Sequence, residues 1–178
     1  MAMAALFATA CSSKDDDPTT PEEQKKDDTA VACVMDHDIS VNDALFDNFD
    51  LTVDYYDTDG SIKSEKMTEK QWTKRVLGPL PFKLGGRVRV TLKEGADVTS
   101  DELLKTSGDY HYTVLAVNKD GELVGELDSK TLTHNLDLKR SKIPAWLELI
   151  EQRGRGILSI VFQFDEKGIY KQVSWGAE

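Results

Sequence analysis

Signatures of catalysis are missing from this sequence. It has no Gly-x-Ser-x-Gly stretch to set a nucleophilic serine on a tight turn, and no glycine-rich loop to cradle phosphates. Alternating strand and helix patterns are absent, which argues against a doubly wound parallel sheet. Positive charge is in deficit: 22 Lys and Arg against 32 Asp and Glu leave a net charge of −10. Nucleic acid and anionic lipid are therefore not expected as partners, because their phosphates would be repelled. Cysteine is scarce, with Cys11 and Cys33 alone. Cys33 reads as a small buried hydrophobe, since a catalytic thiol needs a neighbouring base and partial exposure. Long apolar runs are lacking too. The uncharged first ten residues would extend only about 15 Å as a helix, against a bilayer core of roughly 30 Å.

What is there begins with that apolar segment. It ends in Leu6-Phe7-Ala8-Thr9-Ala10-Cys11 and is followed at once by Ser12-Ser13-Lys14-Asp15-Asp16-Asp17. An apolar run closing on small residues fits the core of a secretory signal. Ala8-Thr9-Ala10-Cys11 resembles a bacterial lipobox, and the acidic stretch after it resembles the export tag of surface lipoproteins of Bacteroidota. The resemblance implies a signal peptide over residues 1–10 and a diacylglyceryl thioether on Cys11. It further implies an outer-membrane protein displayed at the cell surface. Two acyl chains make a stable anchor where one holds only marginally. Two features depart from the pattern: Ala8 stands where Leu or Val is usual, and no Lys or Arg precedes the apolar run. The second implies that residues 1–10 are only part of the signal. The resemblance is confined to this N-terminal stretch and says nothing of the domain that follows.

Residues 11–28 are polar, charged and proline-bearing. They cannot bury enough apolar surface to offset the entropy of ordering, so they read as a lipidated flexible tether, with an end-to-end distance of about 20–25 Å as a coil. Residues 29–178 have the size of a single domain.

Period-two alternation dominates this domain. It predicts strands over Val31–Val41, Phe49–Tyr55, Arg87–Lys93, Thr131–Leu138 and Ile157–Phe164. Tyr110–Val117 is apolar on both faces and reads as a central strand; Ser61–Thr68 is polar and reads as an edge strand. Asp57-Thr58-Asp59-Gly60, Asn118-Lys119-Asp120-Gly121 and Asp165-Glu166-Lys167-Gly168 read as hairpin turns, the last two leading into Glu122–Leu127 and Ile169–Trp175. Thr68–Leu77 fits either a short helix or a strand, broken by Gly78-Pro79-Leu80-Pro81. Gly95–Gly108 reads mostly as loop, with a helical turn at Ser100–Leu104. One helix is clear near 143–153, from Pro144 in its first turn, an apolar stripe of Trp146, Leu147, Leu149 and Ile150, and Gly154 after it. Hairpins imply antiparallel pairing. The expected fold is mainly β, an antiparallel β-sandwich in immunoglobulin-like or transthyretin-like style, with a partly closed β-barrel as the alternative.

Candidate sites are few. Asp36-His37-Asp38 resembles a ligand cluster as a string, but on a strand His37 faces one way and both aspartates the other. His37, His111 and His134 could converge only from separate strands. Neither acidic turn completes a calcium loop, because Tyr55 and Ala116 occupy the first ligand positions. Arg87, Arg89 and Lys93 form a basic row suited to an acidic glycan or a partner's carboxylates. Trp72 and Tyr56 are the aromatics that could stack on sugar rings if exposed. The expectation is a non-catalytic module without metal or cofactor, lipid-anchored and binding a protein or glycan partner. The alternatives are a small hydrolase with a site drawn from several strands, and a structural subunit of an envelope or fimbrial assembly.

Overall fold

The computed structural model describes residues 29–176. The anchor expected at Cys11, the expected signal segment 1–10 and the expected tether 11–28 lie outside the described residues.

Nine strands are present among the described residues: β1 (Ala30–Val41), β2 (Phe49–Tyr56), β3 (Ile62–Lys66), β4 (Gln71–Pro79), β5 (Phe82–Leu92), β6 (Leu103–Asn118), β7 (Leu123–Lys139), β8 (Leu158–Phe164) and β9 (Tyr170–Gln172). They form two sheets, ordered β4-β1-β6-β7 and β3-β2-β5-β8-β9, with every pairing antiparallel. The sheets do not close into a barrel, so the sandwich expectation holds and the barrel alternative does not. The alternation seen in sequence explains the core. Cys33, Met35, Ile39 and Val41 of β1 point inward with Tyr110, Tyr112 and Val114 of β6; Phe49, Leu51, Val53 and Tyr55 of β2 meet them with Leu158, Ile160 and Phe162 of β8. Burial of these side chains supplies the main driving force, about 1.5–3 kcal/mol for each large one.

The structure departs from the sequence reading at several places, each for a physical reason. Thr68–Leu77 contains a strand, not a helix. β4 runs on through Gly78 and Pro79, paired with Cys33 and Ala32, because an edge strand is where a sheet tolerates proline. Leu103–Gly108 is not loop, and Ser100–Leu104 is not a helical turn: β6 already starts at Leu103. Its inward positions there are Leu104, Thr106 and Gly108, and the last two hide the alternation. The segments read as Glu122–Leu127 and Thr131–Leu138 merge, from Leu123 onward, into one strand, β7, with irregularities opposite Val114–Val117. A six-residue helix, α1 (Asp43–Asn48), went unread because it is too short to show a period. Asn42 caps it, its side-chain oxygen accepting from the Leu45 N–H at 2.9 Å, and Leu45 is buried. β9 stops at Gln172; the Val173 N–H still donates to the Val161 carbonyl at 2.9 Å, and residues 174–176 are not strand.

The expected helix is α2 (Ile143–Arg153), with Pro144 in its first turn and Gly154 closing it at φ 63°. Trp146 packs on the Phe49 ring, 5.7 Å between centroids. Gly156 then brings the chain down onto β5, and the Ile157 N–H donates to the Val88 carbonyl at 2.9 Å. Gly156 has φ +69°, and a Cβ on it would stand 2.1 Å from the Val88 carbonyl oxygen. Only glycine satisfies both constraints.

Gly156→Ala should therefore cost at least about 2 kcal/mol, from strain plus a backbone clash. Gly95→Ala, at φ +79° with nothing within 4 Å, should cost only about 1 kcal/mol. Urea unfolding of the two variants measures the difference.

Candidate functional site

β2 and β5 pair with Asp54 opposite Arg87 and Thr52 opposite Arg89. This register puts Asp54 and both arginines on the outer face of the five-stranded sheet. Asp54 is nonetheless only 2% exposed. Arg87 Nε donates to it at 2.8 Å, Arg89 Nε and Nη2 at 2.6 and 2.8 Å, and Ser64 Oγ of β3 at 2.6 Å. Burial raises the carboxyl pKa, but the hydrogen bonds from Arg89, Ser64 and Arg87 outweigh it and hold it at about 2. One acid thus ties three strands together.

The same cluster reaches the elements above the sheet. Arg87 Nη1 donates to the carbonyl of Gly154 at the end of α2. Its guanidinium lies 4.8 Å from the Trp175 ring centroid, a cation–π contact. Trp175 in turn packs on Tyr56, centroids 5.2 Å apart. Beside this cluster α2 and β5 enclose a groove of about 420 Å³, floored by Arg87, Arg89 and Thr91 and walled by Leu147, Ile150 and Glu151.

The basic row divides. Arg87 and Arg89 stand together, but Lys93 lies past the end of β5, donates to the Phe46 carbonyl at 2.7 Å and sits 4.8 Å from the Phe46 ring centroid. The two aromatic candidates do not present free faces. Tyr56 is 7% exposed, covered by Trp175. Trp72 is half-buried between the sheets against His37 and Tyr55. There Glu65 accepts from Trp72 Nε1 at 2.9 Å, Tyr55 OH at 2.7 Å and Lys74 Nζ at 2.7 Å. The bonds from Lys74 and Tyr55 hold Glu65 at about 2. This network closes the side of the sandwich between β3 and β4.

The histidines are kept apart. His37 is buried in the core, its Nδ1 2.5 Å from the Tyr110 hydroxyl, while its Nε2 has no hydrogen-bond partner among the described residues. Burial lowers its pKa to about 4. His111 lies exposed on the outer face of the other sheet, 3.1 Å from Thr131 Oγ1. His134 stacks on Trp146, centroids 6.1 Å apart. Asp36 and Asp38 face outward, to Arg75 and Gln71, as the strand parity required. Cys33 is fully buried, which pushes its thiol up to about 11. Among the described residues no group of three or more His, Cys, Asp or Glu is placed to hold a metal ion.

Sequence reading found Arg87 and Arg89 but missed Asp54, Trp175 and the groove. The signal for Asp54 was present, an acid on the outer face of an alternating strand, but only the register shows that the arginines meet it. No family model, curated protein or solved structure matches the chain.

Two experiments test these assignments. Asp54→Asn leaves two guanidiniums without their buried partner and should cost about 3–5 kcal/mol. Asp36→Asn, whose pair with Arg75 is exposed, should cost no more than about 1 kcal/mol. For His37 the folded pKa is lowered from 6.5 to about 4, so its contribution is full above pH 6.5 and is lost as pH falls from 6.5 toward 4, where the unfolded chain binds the proton first. The loss is about 3 kcal/mol. His134, also lowered by burial, adds in the same direction. Asp54 and Glu65 lose theirs only below the ordinary carboxylate range. Urea midpoints from pH 7 to 4.5 should fall in the wild type and fall clearly less in His37→Gln, which keeps only the His134 contribution.

Proposed function

We propose that this protein is an envelope lipoprotein, held at the outer membrane by lipid on Cys11 and presenting a non-catalytic β-sandwich that binds a protein or glycan partner at the cell surface. The observation that carries the binding part is the α2–β5 groove over the Asp54–Arg87–Arg89 cluster. At the floor of that groove Arg89 keeps guanidinium N–H groups that Asp54 does not use. Arginine reads planar carboxylates through paired N–H bonds, so an acidic group on the partner is the matching chemistry.

The geometry of the domain suits a tethered module. Ala30 lies beside Asn118 and near Gly168, at the end where the hairpin turns gather. The groove follows β5 from Arg87 toward Leu92, whose partner Phe49 begins beyond α1. It therefore runs away from the point where the chain leaves the tether.

The structural-subunit reading draws support from β7, a 17-residue strand at the edge of its sheet, because strand addition is a common assembly mode. Glu126, Asp128, Lys130, Asp137 and Lys139 along it are the kind of side chains that deter edge pairing, so binding remains the better-supported reading.

Protease treatment of intact cells tests the proposal. The wild-type domain should be cleaved on whole cells, and Cys11→Ala should release the protein into the soluble fraction. Protection until the outer membrane is broken would refute surface display. A Cys11→Ala protein that stays membrane-bound would refute the anchor.

A further inference from the structure

We propose that the α2–β5 groove captures the C-terminal carboxylate of a protein partner that ends in an apolar residue. This rests on the binding reading above and names its ligand.

The donors come first. Arg89 uses Nε and Nη2 on Asp54. Its Nη1 has no hydrogen-bond partner among the described residues, and the side chain is 43% exposed where it lines the groove. Asp54 holds Nε and Nη2 and so fixes the plane of the guanidinium. A donor fixed in this way binds an anion with little further loss of rotamer freedom. Arg87 gives Nε to Asp54 and Nη1 to Gly154 and lies against Trp175, and its side chain is only 21% exposed, so Arg89 offers the more accessible cationic edge.

The negative groups set the ligand's charge. Glu151 lines the groove from the last turn of α2. The carbonyl end of a helix adds partial negative charge nearby. A phosphate dianion would be repelled by both about twice as strongly as a singly charged carboxylate. Glu151 is also an acceptor for an N–H group on the ligand.

The walls decide between carboxylate sources. Leu147 and Ile150 offer an apolar surface that the hydroxylated ring of a uronate would not use. A fatty acid would use it but has no N–H for Glu151. A peptide ending in an apolar residue supplies an anion, a backbone N–H and an apolar side chain together, and a groove of about 420 Å³ is within the usual range for a small ligand. Capture of a chain terminus is a known mode of peptide recognition.

The test is an NMR titration of the full chain with acetyl-Gly-Gly-Leu as the free acid and as its C-terminal amide. Glucuronate and octanoate are run beside them. The acid should bind at least about tenfold tighter than the amide, because a charged hydrogen bond is lost, and should shift the signals of Arg89, Leu147 and Ile150. Arg89→Gln should abolish that preference. The exposed Glu151→Gln should weaken the peptide relative to octanoate, which loses a repulsion and no hydrogen bond, a readout independent of any folding defect in the Arg89 variant. Equal binding of acid and amide overturns the inference. Binding of glucuronate alone also overturns it, while leaving the groove reading intact. If none of the four probes shifts the groove residues at millimolar concentration, the inference and the groove reading both fall.

Discussion

A buried carboxylate must be fully hydrogen-bonded or protonated, and most of the outer architecture of this protein follows from how Asp54 meets that requirement. Its two oxygens accept from Ser64, Arg87 and Arg89. Those bonds join the polar edge strand β3 to β2 and β5. Through Arg87 they also reach Gly154 and Trp175, fastening the end of α2 and the segment after β9 to the sheet. Breaking such a cluster is costly, yet its formation adds little net stability, because desolvating the charges cancels much of their attraction. Its value lies in geometry: the arginines are held in one place on an outer face.

The interior follows a different rule. Aromatic rings fill the space between the sheets, with Tyr110, Tyr112 and Phe162 in edge-on contact. His37 is carried within this layer as a neutral ring against Tyr110. The open sides of the sandwich are sealed by polar atoms with apolar bodies. Glu65 gathers Tyr55, Trp72 and Lys74 on one side, and Tyr170 donates from β9 to the Leu127 carbonyl on the other. Side chains that look like candidates for ligand stacking are thus used to finish the core.

These two rules separate the inner layer from the outer face within one small domain. The inner layer and its seals hold the sandwich together, while the outer face of the β3-β2-β5-β8-β9 sheet carries an arginine-floored groove beside α2. Function, on this reading, comes from a surplus: the cluster has more guanidinium N–H groups than Asp54 can use.

Much of the fold was legible in the sequence. Strands with clean alternation, such as Val31–Val41 and Phe49–Tyr55, show their buried face directly, because a sheet imposes period two on any chain with one side in oil. The helix at 143–153 was legible from Pro144, its apolar stripe and Gly154. Where inward positions are Thr106 or Gly108, or where an edge strand is charged like β4, the periodicity fades and the reading failed. The candidate site was half legible. Arg87 and Arg89 could be seen on one face, but Asp54 lies 33 residues before Arg87 in the chain, and Trp175 comes from the other end. By itself the sequence determined which segments alternate, where they turn and how charge is distributed, since these depend on neighbours a few residues apart. Only the tertiary structure decided that Asp54 is buried, that Lys93 leaves the basic row and that α2 makes a groove with β5, because cross-strand register and packing join residues that no local pattern connects.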